Sequence, residues 1–159
     1  VNYVLVNLGI LDKPYNFLTQ PFAAKIVIIL ALLWRWTGYN MVFFLSGLQN
    51  IEYSVYEAAK IDGASAIQTF FKITVPLLKP TILLTAIMST NGTLQLFDES
   101  INLTDGGPAN ASISMSHYIY NLCFKYVPNF GYAAAMSFFI LLLVAVLAFI
   151  QMRVGDKRD

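Results

Sequence analysis

Apolar residues are concentrated in three long stretches of the chain, at about residues 24–46, 80–98 and 132–150. Each stretch predicts a membrane-spanning helix, because a helix needs roughly 20 mostly apolar residues to cross a bilayer core. The third stretch is the most uniformly apolar, whereas the second is apolar through Met88 and then contains several hydroxyl and amide side chains. The pattern predicts an all-α fold, in which residues 1–159 form part of a polytopic membrane helical bundle with three transmembrane helices.

The polar segment between the first two stretches predicts two short helices with a sharp joint. Two capping boxes, each a serine followed three residues later by Glu or Gln, lie at Ser54–Glu57 and Ser65–Gln68. Gly63 lies between them, where a helix can end in a left-handed residue without a Cβ penalty. We therefore expect helices at about 54–62 and 66–75.

This two-helix elbow lies within the predicted loop 48–79, and we expect Pro76 to stop its second helix. The first helix offers the small side chains of Ala58 and Ala59, while the second has apolar residues at helical spacing, including Ile67 and Phe70. Such an elbow suits docking into a groove of another protein. A plain connector between two spans fits the spacing equally well.

Composition supports a membrane protein, since the chain is 57% hydrophobic and 12% charged, about half the charged fraction of an ordinary soluble domain. The net charge is +1, and the few Lys and Arg residues are scattered along the chain. Neither feature is typical of a nucleic-acid-binding protein, so we exclude that class. Cys123 and His117 are the only residues of their types, which predicts no disulfide framework and no Cys/His metal cluster.

The distribution of cations predicts the orientation in the membrane. Three spans place the loop 48–79 and the carboxy-terminal tail on one side, which holds six cations: Lys60, Lys72, Lys79, Arg153, Lys157 and Arg158. The other side holds three: Lys13, Lys25 and Lys125. The positive-inside rule therefore places the loop 48–79 and the carboxy terminus in the cytoplasm, and residues 1–23 and 99–131 outside.

The outer loop 99–131 contains two clusters of Gly and Pro that indicate turns, at 104–108 and 128–131. Between them, apolar residues fall at helical spacing: Met115, Tyr118, Ile119, Leu122 and Tyr126. They predict a short amphipathic helix on the outer rim. A docking surface for an extracytoplasmic partner is the alternative.

Polar residues inside the predicted spans are candidates for a solute path. Arg35 is the one formal charge well inside a span, where charge is costly and is a functional hypothesis by default, although its side chain could also snorkel to the outer interface. Trp36 and Asn40 share a face of the first span. In the second span Ser89 and Thr93 form one polar stripe and Asn91 and Gln95 another, so one stripe could line a cavity while the other bonds a neighbouring helix.

The loop contains Glu57-Ala58-Ala59, then Gly63, Ile73, Val75 and Pro76. This series resembles the EAA pattern of the permease subunits of binding-protein-dependent ABC transporters, which has Leu where this chain has Val75. The wider stretches resemble the carbohydrate-type branch that includes maltose and glycerol phosphate permeases: Tyr56–Ser65, Phe71–Pro80, Trp34–Met41, Gly47–Gln49 and Gly106–Pro108. Relatives usually have Ile-Pro where this chain has Ile51-Glu52.

The resemblance implies a permease subunit of an ATP-driven importer in the bacterial inner membrane. It implies partners: two ATPase subunits, a second permease subunit, an extracytoplasmic solute-binding protein and a small-molecule solute of the sugar or polyol type. The chain has no phosphate loop of the form GxxxxGK[ST], so we expect no enzyme activity and no cofactor in this chain, with ATP and Mg bound by the partner ATPase.

The resemblance also assigns candidate residues. For ATPase coupling these are Glu57 and Asp62 as polar contacts, Ala58, Ala59 and Gly63 for close approach, and Ile73 and Pro76 to fix the loop to its span. For the solute pathway they are Trp36, Thr37, Gly38, Tyr39, Asn40, Ser89 and Thr93. Arg35 joins these candidates because of its charge within the span, not because of the resemblance.

Such permeases typically carry six spans, and this chain begins with Val1 and predicts three. We therefore expect a carboxy-terminal fragment of a longer subunit. One alternative function is a gradient-driven secondary transporter or channel that uses Arg35, Asp98 and Glu99 as its charged residues. Another is a membrane scaffold without transport, which gives no purpose to polar stripes inside a span.

Overall fold

The computed structural model describes residues 2–9 and 12–155, and every regular element within them is helical. This confirms the predicted all-α class. Lys157 and Arg158, on which the predicted cytoplasmic tail partly depends, lie outside the described residues, as does Val1.

Among the residues that the structure describes, two helices are long and apolar enough to cross a membrane. After α1 (Asn2–Asn7) and a single 3-10 turn (Phe17–Thr19), helix α2 runs over Pro21–Gln49. The carboxy-terminal helix, α8, runs over Phe130–Gly155. At 1.5 Å per residue these helices are about 40 Å long. Each contains its predicted span, 24–46 or 132–150, and extends beyond it by two to five residues at each end.

The elbow and the second span form a run of shorter helical pieces. In chain order these are α3 (Tyr53–Ile61), α4 (Ala66–Thr69), a π-helical turn (Phe70–Thr74), α5 (Val75–Leu77) and α6 (Lys79–Leu94). The helix pair 66–77 and 79–94 is bent by 65° at Leu78. It reaches the length of a membrane span only if both arms are counted together.

Two predictions about this region are wrong. Pro76 does not stop the second elbow helix, because it lies in the first turn of α5, where a missing N–H costs no helical hydrogen bond. The preceding π-helical turn allows the chain to pass into that position without a break. The helix over the second predicted span, α6, ends at Leu94 rather than 98, since the Gln95 N–H bonds back to the carbonyls of Asn91 and Thr93 and the chain then leaves the helix.

The outer loop contains a π-helical turn (Ser100–Thr104), then α7 (Met115–Tyr120), which continues as a second π-helical turn (Asn121–Lys125). The predicted short helix is therefore present. Its most buried members are His117, Asn121 and Leu122, so the face that packs inside the protein is partly polar and differs from the apolar stripe predicted by spacing.

Contacts group the chain into two compact units. Unit 1 contains Val1–Leu32 and Leu96–Ala134, and unit 2 contains Leu33–Gln95 and Ala135–Asp159. The long helices α2 and α8 each contribute to both units.

Unit 1 is organised around a buried serine–histidine pair. Ser100 and His117 are both fully buried, and Ser100 Oγ lies 2.8 Å from His117 Nδ1. Ser100 Oγ also lies 2.8 Å from the Ser112 carbonyl and accepts from the Ser114 N–H at 3.2 Å. The Ser100 hydroxyl thus bonds to three residues farther along the loop, Ser112, Ser114 and His117. The ring of Phe97 packs edge to face against the His117 ring at a centroid distance of 6.0 Å.

A surface ion pair lies next to this buried pair. Lys125 Nζ lies 2.6 Å from Asp105 Oδ1, which is 3.6 Å from His117 Nε2. The ammonium group lowers the pKa of Asp105, so the carboxylate stays charged at neutral pH. Burial lowers the pKa of His117, although Asp105 opposes this effect.

Unit 2 depends on close helix contacts at glycines. A Cβ atom at Gly47 of α2 would lie 2.8 Å from Thr81 Oγ1 and 2.9 Å from Leu78 Cδ2. A Cβ atom at Gly155 of α8 would lie 2.6 Å from Leu83 Cδ1. Small residues at such positions allow helices to approach closely in a membrane, where packing rather than water exclusion stabilises the contact.

We predict that Gly47→Leu destabilises the intact subunit by about 1–3 kcal/mol, because the side chain would overpack the contact with α6. The matched control is Gly38→Leu on the same helix, where an added Cβ meets no atom within 4 Å. The melting temperature of the purified complex measures both changes. Equal melting temperatures for the two variants would contradict the close contact at Gly47.

We also predict that acid loosens the outer loop. The folded loop binds a proton on His117 more weakly than the unfolded chain does, since its pKa is lowered from 6.5 by burial. Neutral His117 therefore contributes to the free energy of unfolding above pH 6.5, and this contribution is lost as the pH falls below that value. Hydrogen-exchange protection of residues 112–126, corrected for intrinsic rates, should fall between about pH 7.5 and about pH 5.5.

The control for this experiment is His117→Gln, which removes the titrating group and should leave a protection factor that varies little over the same range. Asp105 does not titrate there, because Lys125 holds its pKa low. A pH response that persists unchanged in His117→Gln would show that another group is responsible.

Candidate functional site

The joint of the elbow has a well-defined helix-ending motif. Gly63 has a φ of +74°, its N–H donates to the Lys60 carbonyl at 3.1 Å, and the Ala64 N–H donates to the Ala59 carbonyl at 3.0 Å. These two bonds form a Schellman motif, in which a left-handed glycine ends the helix and satisfies its last carbonyls. The predicted role of Gly63 as the joint is confirmed.

The second elbow helix begins at a complete capping box. Ser65 Oγ accepts from the Gln68 N–H at 3.3 Å, and Gln68 Oε1 accepts from the Ser65 N–H at 2.9 Å. The predicted box at Ser54–Glu57 is wrong. Helix α3 begins one residue earlier, Glu52 occupies its cap position, and the Ser54 hydroxyl donates to the Glu52 carboxylate at 3.2 Å instead.

The coupling candidates divide into exposed and packed residues. The exposed ones are Glu57, Ala58, Asp62, Gly63 and Pro76. Ala59 is buried and Ile73 is half-buried. Ala59 therefore packs within the protein, so of the two predicted small contacts only Ala58 lies on the surface.

The elbow also exposes large apolar side chains that the candidate set did not include. Ile61 is 85% exposed and Ile67 is 73% exposed, on either side of the joint. Phe70 and Phe71 are more than half exposed and pack edge to face at a centroid distance of 5.0 Å. The spacing of Ile67 and the two phenylalanines can be seen in the sequence, but only the structure shows that these side chains are exposed.

The elbow is attached to its span by a side-chain contact. Tyr56 Oη on α3 lies 3.2 Å from Thr74 Oγ1 in the π-helical turn, and Thr74 is buried. This bond joins the first elbow helix to the segment that leads through Leu78 into α6. Thr74 lies one residue from Ile73 and two from Pro76, the positions predicted to fix the loop to its span.

The solute-path candidates meet where α2 packs against α6 within unit 2. Asn40 Nδ2 donates to Ser89 Oγ at 3.1 Å, and the serine hydroxyl lies 3.3 Å from Asn40 Oδ1. Both residues are only half-buried. The predicted stripe that contains Ser89 therefore makes the bond to a neighbouring helix.

An aromatic group extends this contact along α2. Trp36 and Tyr39 stack edge to face at 5.4 Å, and Tyr39 Oη lies 4.0 Å from Met88 Sδ. The Trp36 ring lies directly on Gly92, where an added Cβ would come within 2.1 Å of the ring. Trp36 Nε1 is buried and has no hydrogen-bond partner among the described residues. Sequence reasoning missed Gly92, because the contact is between distant parts of the chain.

The remaining candidates are more exposed than Asn40 and Ser89. Thr37, Gly38 and Thr93 are exposed. Arg35 is also exposed, and its guanidinium carbon lies 5.5 Å from the centroid of the Trp36 ring. The two residues of the other predicted stripe, Asn91 and Gln95, differ in burial. Asn91 Oδ1 is buried without a hydrogen-bond partner in the described chain, whereas Gln95 is exposed.

A second polar contact between helices was not predicted. Gln151 Nε2 of α8 donates to Thr90 Oγ1 of α6 at 2.8 Å. Thr90 directly follows Ser89, the residue of α6 that bonds to Asn40. Sequence alone does not indicate this bond, because Gln151 lies just beyond the third predicted span, 132–150.

Known proteins similar to this chain are transport permeases. The lactose transport system permease protein LacF of Rhizobium radiobacter is 54% identical over 160 residues, which cover 99% of this chain and 54% of that protein. The trehalose/maltose transport system permease protein MalF of Thermococcus litoralis is 36% identical over 157 residues, covering 99% and 52%. The chain thus spans about half the length of the curated relatives it matches.

A solved structure has the same fold. It is the crystal structure of a bacterial ABC transporter involved in the import of the acidic polysaccharide alginate, and it matches with a TM-score of 0.83 and 25% identity, covering 99% of this chain and 55% of that one. The family model described as "Binding-protein-dependent transport system inner membrane component" matches residues 3–158. The chain therefore belongs to the family of inner membrane components of binding-protein-dependent transport systems, as its EAA-like loop predicted.

Proposed function

We propose that this chain forms part of the solute path of an ATP-driven importer for a sugar or related polyol, and that residues 53–77 couple this path to a separate ATPase. The observation that carries the proposal is the exposed elbow with its uncovered apolar side chains. Exposed apolar groups at this density are typical of a protein-binding surface. Family membership supplies the context, since relatives are named as permeases of sugar transport systems.

The elbow is built to transmit movement rather than to bend. Its joint is fixed by the Schellman bonds around Gly63, its second helix by the box at Ser65, and its base by the bond between Tyr56 and Thr74. A partner that grips Ile61 and Ile67 would therefore move the elbow as one piece. Glu57 and Asp62, both exposed, would supply polar contacts at the rim of this interface.

The remaining coupling candidates have different roles in this proposal. Ala58 and Gly63 allow the partner surface to approach closely, and Ala59 holds α3 against the rest of unit 2. Ile73 and Pro76 lie in the segment that leads into the bend at Leu78. Movement of the elbow would pass through this segment to α6.

ATP and Mg would be bound by the partner, because the sequence has no phosphate loop. We propose the usual assembly for such an importer, with two ATPase subunits, a second permease subunit and an extracytoplasmic solute-binding protein. The subunit would lie in the inner membrane with the elbow and the carboxy terminus in the cytoplasm, as the excess of cations favours. A gradient-driven carrier has less support, since it gives no role to the elbow.

The solute would pass along the contact of α2 and α6. The half-buried amide and hydroxyl of Asn40 and Ser89 suit sugar hydroxyls, and the rings of Trp36 and Tyr39 suit the apolar face of a sugar. The unpaired Trp36 N–H is a further donor for a solute hydroxyl. Arg35, Thr37, Gly38 and Thr93, all exposed, are available to line the same path in the complete transporter.

We predict that Gly63→Asp uncouples ATP hydrolysis from uptake. A side chain at a φ of +74° is strained, and the new carboxylate would stand at the joint that the partner approaches. Solute uptake by the reconstituted transporter should fall at least about tenfold, the effect of losing roughly 1.4 kcal/mol at the interface. Co-purification of the ATPase measures docking in the same sample.

Gly9→Asp is the matched control, since Gly9 also has a left-handed φ, of +70°, and no atom within 4 Å of an added Cβ, but lies outside the elbow. Uptake and ATPase retention that are unaffected by Gly63→Asp would count against the coupling role.

We predict that Ser89→Ala raises the KM for the transported solute by about 2- to 10-fold, the usual effect of losing one neutral hydrogen bond. The control is Thr85→Val on the same helix, because the Thr85 hydroxyl bonds only to carbonyls of its own helix, at 2.9 and 3.0 Å. Uptake kinetics over a range of solute concentrations measure both. If the two variants shift KM equally, Ser89 has no specific contact with the solute.

A further inference from the structure

Residues 124–132 form an exposed apolar surface of unit 1, where the chain passes from the π-helical turn after α7 into α8. We call them the aromatic segment. Val127 is 90% exposed and Phe124 is 72% exposed. Contiguous exposed apolar groups of this kind mark a contact with a protein or a membrane. The large apolar side chains exposed in the segment are Phe124, Tyr126, Val127, Phe130 and Tyr132.

The aromatic segment is held in place by the interior of the outer loop. The ring of Phe124 packs on the ring of Tyr120 at a centroid distance of 5.2 Å, and Tyr120 packs against Phe97 at 5.4 Å. Leu122, two residues before Phe124, is buried. The exposure of the segment is therefore a feature of a packed loop, and its apolar side chains have a fixed base.

Hydrogen bonds of the backbone reduce the cost of removing the segment from water. The Tyr126 N–H donates to the Asn121 carbonyl at 2.8 Å, and the Asn129 N–H donates to the Leu122 carbonyl at 3.0 Å. Asn129 Oδ1 accepts from the Tyr132 N–H at 3.1 Å at the start of α8. Polar groups that are already bonded lose less when they enter a region poor in water.

The charge of the segment is paired. Between residues 124 and 134 the only charged side chain is that of Lys125. Its Nζ lies 2.6 Å from Oδ1 of Asp105, which belongs to an earlier part of the outer loop. The segment itself contains no carboxylate. Its surface is therefore aromatic and apolar, and it favours a partner that is recognised by apolar contact rather than by charge.

The place of the segment in the chain indicates which partner this is. Helix α8 begins at Phe130 and is long and apolar enough to cross a membrane. The segment thus adjoins the end of a membrane span. Tyrosines are enriched at this level of membrane proteins, because their rings have an apolar body and a polar tip that suit the head-group region. Tyr126 and Tyr132 have this character, while Phe124 and Val127 are wholly apolar.

We propose that the aromatic segment is immersed in the membrane interface at the amino end of α8. The hydroxyls of Tyr126 and Tyr132 would lie among the head groups, and Phe124 and Val127 would contact the first acyl carbons. A protein partner could also cover such side chains, but continuity with the span of α8 favours lipid. The contact would fix the depth of the outer loop relative to the bilayer. It requires that α8 crosses the membrane, and is independent of the solute, ATPase and orientation proposed above.

The test measures the depth of a nitroxide spin label on Val127→Cys in the intact transporter, reconstituted in vesicles of phosphatidylcholine and phosphatidylglycerol. Cys123 and any other cysteine are first replaced by serine. Oxygen concentrates in lipid and a nickel chelate stays in water, so the ratio of their collision rates with the label reports immersion. The matched control is Asn102→Cys, at an exposed polar residue of the same loop.

The ratio of oxygen to nickel collisions should be several-fold higher at Val127→Cys than at Asn102→Cys. Equal ratios overturn the proposal, because Val127 would then lie in water. Low collision rates of both reagents at Val127→Cys also overturn it, because a protein would then cover the segment.

A second variant tests immersion through charge. With the label on Phe124→Cys, adding Val127→Arg should lower the collision ratio about two- to fivefold, the factor that corresponds to the cost of one arginine near a bilayer interface. Asn102→Arg is the control and should leave the ratio at Phe124→Cys unchanged. A ratio that does not respond to Val127→Arg overturns the proposal. Size-exclusion chromatography shows whether each variant still assembles.

ATP-driven sugar uptake by the wild-type transporter in the same vesicles tests the proposed function separately. Uptake with Val127 in water contradicts only the membrane contact. Immersion of Val127 in a transporter that shows no such uptake contradicts only the proposed function.

Discussion

Inside a bilayer every backbone N–H and C=O group needs a hydrogen-bond partner within the protein, and this requirement governs how the chain is divided. The long uninterrupted helices α2 and α8 meet it directly. Irregular backbone occurs where polar partners are available, as at the joint of the elbow and in the outer loop around Ser100. The elbow can carry a glycine in the left-handed conformation because it lies outside the predicted spans, where water can satisfy any group that the fold does not.

Where helices meet within unit 2, two kinds of contact hold them. Glycines allow close packing at Gly47, Gly92 and Gly155. Polar side chains then add single hydrogen bonds across helices, between Asn40 and Ser89 and between Gln151 and Thr90. This combination is expected in lipid, where apolar side chains gain nothing by meeting one another rather than an acyl chain. It also leaves Asn40 and Ser89 joined by a contact of modest strength, which suits the proposed role of these residues in a solute path.

Much of this arrangement could be predicted from the sequence, because local patterns carry it. Hydrophobic stretches located the long helices, and the Ser65 box and Gly63 gave the form of the elbow joint. The prediction failed at the start of α3, where Glu52 rather than Ser54 occupies the N-cap position and the two side chains bond to each other. It also failed at Pro76, which a preceding π-helical turn allows to lie within a helix. It could not reach the pairs Trp36–Gly92 and Ser100–His117, whose members are distant in sequence and carry no mark of their partners.

The 65° bend at Leu78 determines how the elbow can act on α6. When two rods are joined at such an angle, most of a displacement along the axis of one is directed across the axis of the other. A pull along the 66–77 arm would therefore swing the near end of α6 sideways instead of sliding that helix along its length. Tilting changes the spacing of neighbouring helices at one end while leaving the depth of each side chain in the bilayer nearly constant, so no charged or polar group has to be dragged through hydrocarbon.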